Sequence, residues 1–359
     1  MVEWKKLGEV CSFNRGRTIT AKDAVDGDVP VIAGGQTPSY YHNEANRNGE
    51  SITIAGSGAY AGFVSYWNQP IFVSDAFTVD PTITLKHKYL FHWLKKNQER
   101  VYATQKGAGV PHVHGKDIAN FDIPIPSLSE QQRIVDFLDT FTSSIDNLKE
   151  QIAQRRKQYE HYRDQLLDLE GKEGVETKTL GEISSFSQGT QVPLPEQSLE
   201  KKEGYSRFLR IIDYTQGNEP SRYVPINDKR YWISKEEIAI VRYGTPGYVC
   251  RGFDGILANN LFKVNIKDKK VLGNSYLAYV LKSNIFQSKI KQKSSGGALQ
   301  AISFSLIKDI LIPVLSTGEQ SRIVSILDTF EASIQNLEAQ LKEREKQYEY
   351  YRNKLLTFE

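Results

Sequence analysis

The feature that most constrains this chain is that it contains the same long segment twice. Residues 123–170 and 312–359 share Glu-Gln-x-Arg-Ile-Val, Leu-Asp-Thr-Phe and Lys-Gln-Tyr-Glu-x-Tyr-Arg at a constant shift of 189 residues. A shorter match places Leu7-Gly8-Glu9, Phe13 and Gly16 against Leu180-Gly181-Glu182, Phe186 and Gly189, at a shift of 173. Between these markers the copies have little in common. The order is variable block, repeated block, variable block, repeated block, so the fold must serve two differently decorated halves on one plan.

Each repeated block reads as one long helix. Ile134, Leu138, Phe141, Ile145, Leu148 and Ile152, then Tyr159, Tyr162, Leu166 and Leu169, alternate steps of four and three. Ile323, Leu327, Phe330, Ile334, Leu337, Leu341, Tyr348, Tyr351, Leu355 and Phe358 do the same. That is a period of 3.5, the signature of a left-handed coiled coil. Both copies interrupt the seam at one place, with Arg155 and Arg344. A charge there lowers stability but can fix register. Ser127-x-x-Glu130 and Ser316-x-x-Glu319 fit capping boxes. Pro124 and Pro313 stand where an incoming strand would end, and Gly171 and Gly174 stop the first helix. About 42 helical residues at 1.5 Å each make a rod on the order of 60 Å. A lone helix would leave its seam wet, so the two rods are expected to pair, and the return of the chain makes the pair antiparallel.

The variable blocks read as mixed α/β. Residues 29–33, 51–55 and 238–241 are β-branched runs closed by Gly-rich turns, and 89–101 and 275–291 have helical periodicity. The expected class is α+β: two globular mixed α/β domains separated by two long antiparallel helices in a coiled coil, a pseudo-two-fold repeat. The expected division is 1–127, 128–170, 171–315 and 316–359.

Composition matters here for what it excludes. No apolar run approaches a membrane span and no secretion signal opens the chain, so no membrane contact and a cytoplasmic location are expected. Cys11 and Cys250 sit in unrelated contexts, which argues against a disulfide framework or a zinc knuckle, and Cys250 reads as a buried small hydrophobe. The net charge of +3 is unevenly spread: +1 over 1–127, −3 over 128–170, +7 over 171–312 and −2 over 313–359. Positive charge on the variable blocks suits a polyanion.

No reaction assembles from the residues. A GxxxxGK[ST] loop is absent, Gly56-Ser57-Gly58 is not followed by a GxGxxG pattern, and no Pro-Pro-aromatic motif is present. His112, His114 and Asp117 could be drawn as metal ligands of a metal-dependent enzyme, but read more simply as a polar surface loop. What is present is a binding inventory. In the first block it comprises Arg15, Arg17, Gln36, Tyr40, Tyr41, Asn43, Ser57, Tyr60, Lys106 and His112. In the second it comprises Arg207, Arg210, Arg222, Tyr223, Arg230, Arg242, Tyr243, Thr245, Lys293 and Gln300. Arg, Lys, Gln and Asn read base edges, and Gly-rich loops bring backbone N–H groups to phosphates, so these residues are candidates for binding double-stranded DNA.

The layout, the Leu-Gly-Glu openings and the Ile-Pro…Glu-Gln-x-Arg-Ile-Val lead into each long helix resemble the specificity subunits of type I restriction-modification systems. Residues 107–111 and 295–300 look like that family's domain ends. The resemblance covers the whole chain. It implies that each variable block is a target recognition domain reading one half of a split, asymmetric DNA site. It further implies that the helices dock two modification subunits, which carry the adenine methyltransferase chemistry and bind S-adenosylmethionine, and through them restriction subunits. The chain itself would be non-catalytic and hold no cofactor. The rival readings are a standalone DNA-binding or decoy protein that never meets a methyltransferase, and the enzyme built on His112, His114 and Asp117.

Overall fold

In a computed structural model, which describes residues 2–169, 171–226, 228–293 and 301–358, the Leu-Gly-Glu markers are one-turn helices at the mouth of each variable block. Leu7 and Leu180 are fully buried. Glu9 and Glu182 turn back to accept from the backbone N–H of Lys6 (3.0 Å) and Thr179 (2.6 Å). The Leu7 N–H donates to the Phe121 carbonyl, and the Leu180 N–H to that of Ile310. The strand before each marker, Glu3–Lys6 or Glu176–Thr179, pairs antiparallel with Asp122–Ile125 or Leu311–Val314. Pro124 and Pro313 therefore lie inside these ribbons rather than after them. A two-stranded ribbon has free edges that tolerate a missing N–H.

Each variable block is built on a four-stranded antiparallel sheet. In the first, Cys11–Arg15 pairs with Ala76–Pro81, which pairs with Glu50–Ala55 and then Val64–Asn68. In the second, Ser184–Gln188 pairs with Leu261–Ile266, then Ile238–Val241 and Val249–Cys250. Phe13 lies opposite Val79, and Phe186 opposite Val264. A smaller sheet accompanies each, with a parallel pair at Val31↔Phe72 and at Phe208↔Ile256. The paired glycines of the shorter repeat mark where these layers meet. A Cβ at Gly16 would stand 2.3 Å from the Val73 carbonyl oxygen, and one at Gly189 2.2 Å from that of Ala258, so only glycine fits. Cys11 and Cys250 are buried, and burial pushes the Cys11 thiol up to about 12.

The periodic segments after each sheet are two helices apiece, not one. His87–Lys96 and Gln98–Tyr102 are separated at Asn97, whose amide donates to the Trp93 carbonyl. Asn274–Lys282 and Asn284–Lys293 are separated at Ser283, whose hydroxyl donates to the Val280 carbonyl. In both, a polar side chain competes for the last carbonyls of the preceding helix.

The long helices run from Leu128 to Leu167 and from Thr317 to Leu355. The first stops before Gly171 and Gly174, which take the left-handed conformation beyond it. The capping boxes form by half. Ser127 and Ser316 accept from the N–H of Glu130 and Glu319, but those carboxylates pair with Arg133 and Arg322 one turn on. A charged guanidinium outcompetes a backbone N–H for the same oxygen.

The chain divides into two compact units, Met1–Glu150 with Glu338–Glu359, and Gln151–Leu337. In the first, Ile134, Val135 and Leu138 join the core with Leu7 and Tyr89, and Leu356, just after the second long helix, is buried with them. Phe137 and Phe141 pack on Tyr351, and Lys149 lies 3.8 Å from Glu345, so the helices are antiparallel there. In the second unit, Ile323 and Leu327 join the core with Leu180 and Tyr276, and Leu167 comes from the end of the first long helix. Tyr159 donates to Glu331 at 2.9 Å and Tyr162 stacks on Phe330. The seam arginines repeat too: Arg344 lies over the Phe141 ring at 5.5 Å, and Arg155 over Phe330 at 6.0 Å. Each cation thus sits on an aromatic face instead of unpaired in an apolar seam.

The same duplication governs how blocks hold helices. Gln131 accepts from the Lys86 N–H and donates to the Pro126 carbonyl. Gln320 accepts from the Gly273 N–H and donates to the Leu315 carbonyl. The Tyr89 and Tyr276 hydroxyls donate to the carbonyls of Pro124 and Pro313.

Candidate nucleic-acid interface

In the first block the candidates gather at two places. One is the turn between Glu50–Ala55 and Val64–Asn68. The Gly56 N–H donates to the Asp75 carbonyl at 3.0 Å, while the Gly56 carbonyl accepts from the Val113 N–H at 3.0 Å. The Gly58 N–H donates to the Pro111 carbonyl at 3.0 Å. These bonds pin the Gly-rich loop 106–114 beside Ser57, whose hydroxyl donates to the Asp75 carboxylate. Arg15 ends the strand Cys11–Arg15, which lies beyond Ala76–Pro81 in the same sheet, and Tyr60 is exposed on the turn. Lys106 is exposed and its ammonium pairs with Asp117. That hydrogen bond holds the Asp117 carboxyl below the usual carboxylate range. His112 is exposed, its ring parallel to that of His114 at 6.3 Å.

The second place is made by the loops before and after Val29–Ile32. Arg17 lies over Phe72 at 5.2 Å and 3.7 Å from Glu44, and the Tyr40 hydroxyl donates to the Ile19 carbonyl at 2.6 Å. Gln36, Tyr41 and Asn43 are exposed. Asp117 is turned to Lys106, and among the described residues no group of three His, Cys, Asp or Glu could hold a metal, so the His112–His114–Asp117 enzyme reading has no geometry behind it.

The second block presents the equivalent turn differently. The Arg242 N–H donates to the Asn260 carbonyl at 2.8 Å and the Arg242 carbonyl accepts from the Ile302 N–H at 3.0 Å, the same two bonds that Gly56 makes. The Arg242 guanidinium lies 5.1 Å over the Tyr243 ring, and Tyr243 and Thr245 are exposed. The other candidates are scattered and largely engaged within the domain. Arg210 donates to Asp213 (3.1 Å), Glu219 (2.7 Å) and the Pro220 carbonyl (3.1 Å), which leaves few donors for a ligand. Arg207 lies 4.1 Å over Phe253 and 3.9 Å from Asp213. Arg222 donates to Gln197, Tyr223 pairs through its backbone with Ser198, and Arg230 holds Asp228 at 2.6 Å. Gln300 and the Lys293 side chain lie outside the described residues.

Sequence reasoning passed over Asp75 and Asn260. Neither stands in a basic or Gly-rich run, and only sheet register brings Asp75 to Ser57 and Asn260 to Arg242.

The sequence profile of the type I restriction modification DNA specificity domain matches residues 1–155 and again 172–345. The chain belongs to that family. It carries two copies of the domain, and its role is the non-catalytic one of a specificity subunit of a type I restriction-modification system. Among relatives of this specificity subunit, the EcoR124I/EcoR124II specificity subunit of Escherichia coli is 28% identical over 410 aligned positions, spanning 99% of this chain and 94% of the relative. The EcoDI specificity subunit, also from Escherichia coli, is 20% identical, with 95% of this chain and 84% of the relative covered. The crystal structure of a type I restriction-modification S subunit from M. genitalium shares the fold, with a TM-score of 0.67 at 19% identity, covering 100% of this chain and 97% of that one. A chain from a structure addressing complex assembly and conformational transition of the type I system gives 0.56 at 18% identity, covering 99% and 97%. Among the described residues no helix is long and apolar enough to cross a membrane.

Proposed function

We propose that residues 1–127 and 171–315 are target recognition domains, each binding one half of a bipartite, asymmetric site on double-stranded DNA. The long helices at 128–170 and 316–359 are the dock for two modification subunits and, through them, restriction subunits. S-adenosylmethionine and the methyl transfer belong to the modification subunit, and the complex acts on cytoplasmic DNA. The observation that carries this reading is the turn described above: one backbone arrangement, repeated, with Gly56-Ser57-Gly58 in one copy and Arg242-Tyr243-Gly244 in the other. A scaffold kept the same while its presented side chains differ is suited to reading two different sequences.

The test is a domain exchange. Replacing residues 1–127 with the corresponding block of a relative, and sequencing methylated DNA from cells that also express the modification subunit, should change one half-site and leave the other intact. Change in both half-sites, or in neither, would refute the modular assignment.

A further inference from the structure

The duplicated sheet register allows the two blocks to be compared position by position. Arg15 lies opposite Phe77 across its sheet, and Gln188 lies opposite Phe262 in the other. Gly56 bonds Asp75 backbone to backbone, as Arg242 bonds Asn260. The bridge Ser57↔His112 in one copy is Tyr243↔Ala301 in the other. Three equivalent positions therefore hold Arg15, Gly56 and Asp75 in the first block, and Gln188, Arg242 and Asn260 in the second.

Resting on the proposed DNA-reading function, we infer that these positions determine specificity, with Asp75 reading a base edge in one half-site and Asn260 in the other. A carboxylate on a surface that meets DNA is repelled by phosphate, so one that is not paired with a cation, as Asp117 is with Lys106, is useful there where a base offers a donor. Asp75 is held for that purpose. Ser57 occupies Oδ2, and Oδ1 accepts no hydrogen bond from the described residues. A cleft of about 90 Å³ opens beside it, lined by Phe13, Arg15, Asp75, Phe77 and His114. That is space for several water-sized groups, so an exocyclic group of a base can enter. The chemistry selects an amino group, such as cytosine N4, with Arg15 beside it as a donor to guanine.

Asn260 is half-buried, and its Oδ1, buried with no hydrogen-bond partner, meets a base once the side chain turns outward. An unsatisfied buried acceptor is costly unless a partner supplies a donor. An asparagine offers both a donor and an acceptor and matches an adenine edge, and Arg242 next to it supplies donors for guanine. Gln188, whose amide donates to the Asn259 carbonyl at 3.0 Å, braces the same corner.

The experiment is selection from a random pool of duplex DNA by the full chain with its modification subunit, for the wild type, D75N and N260D. Both substitutions are nearly isosteric and lie in different blocks, so each stands as a test if the other fails to fold. D75N should shift or relax one base pair in the half-site assigned to the first block by domain exchange. Discrimination there should fall about 5- to 150-fold, with the other half-site unchanged. N260D should do the reverse. Unaltered half-sites in both variants, or an equal loss of affinity on all sequences, would overturn the inference while leaving the proposed function standing. A wild-type chain that selects no bipartite sequence would instead overturn the proposed function, and this inference with it.

Discussion

Leu356 follows the second long helix, yet it lies at 1% exposure in the core of the unit that contains the first variable block. Its counterpart Leu167, 189 residues earlier, is 4% exposed in the core of the other unit. Replacing Leu356 with Ala removes three buried carbons, a transfer loss of roughly 2.4 kcal/mol at about 0.8 kcal/mol each. The cavity left behind adds to this when the surroundings cannot close. Here Lys96 holds the Leu356 carbonyl at 2.9 Å and the Thr357 hydroxyl at 2.7 Å, which limits relaxation of the backbone. L356A is therefore expected to cost about 2–5 kcal/mol. Hydrogen exchange should place the loss in the first unit: protection falls in His87–Lys96 and in residues 128–150, while Asn274–Lys282 keeps its protection. L167A should produce the opposite map. In DNA selection L356A should weaken the half-site read by residues 1–127. Loosening of Asn274–Lys282 by L356A, or a total loss under about 1 kcal/mol, would refute the reasoning that the end of the second helix completes the first unit.

Burial holds the His92 imidazole below its ordinary pKa, against the opposing pull of Asp139, so the folded ring stays neutral. Its Nε2–H then donates to Asp139 and its Nδ1 accepts from Tyr348. As pH falls below about 6.5 the unfolded chain takes up a proton that the folded chain resists, so stability is lost on acidification, by at most about 1.4 kcal/mol per pH unit. H92Q removes the titration while retaining a donor that can serve Asp139 and an acceptor that can serve Tyr348. Urea midpoints compared at pH 7.5 and 5.5 should fall further for the wild type than for H92Q, and parallel falls would refute this. The arginine seated on an aromatic ring in each seam should be worth about 0.5–1 kcal/mol. Double-mutant cycles of R344A with F141A, and of R155A with F330A, should return coupling of that size in both copies, and absence of coupling in both would mean that the guanidiniums serve only by charge.

The parts of this protein legible in its sequence are those fixed by short-range rules. A heptad seam is a statement about residues three and four apart, so Ile134 to Ile152 could be assigned to a buried stripe without knowing what covers it. The Leu-Gly-Glu markers could be found by repetition, though not their purpose, because the partner carbonyls at Phe121 and Ile310 are more than 110 residues away. The capping boxes looked complete because their spacing is right. The spacing does not show that Arg133 and Arg322 would claim the carboxylates. The interface was legible only in part, and for the same reason. Arg242 and Ser57 stand out in Gly-rich turns, but Asp75 and Asn260 acquire meaning only when antiparallel register carries strand starts to those turns. Composition also does not show which cations of the second block are available, since Arg210 is committed to Asp213 and Glu219. Net charge therefore points to a block that would attract a polyanion, while on the proposed reading the choice of sequence rests on a few positions that charge counts pass over, one of them a carboxylate.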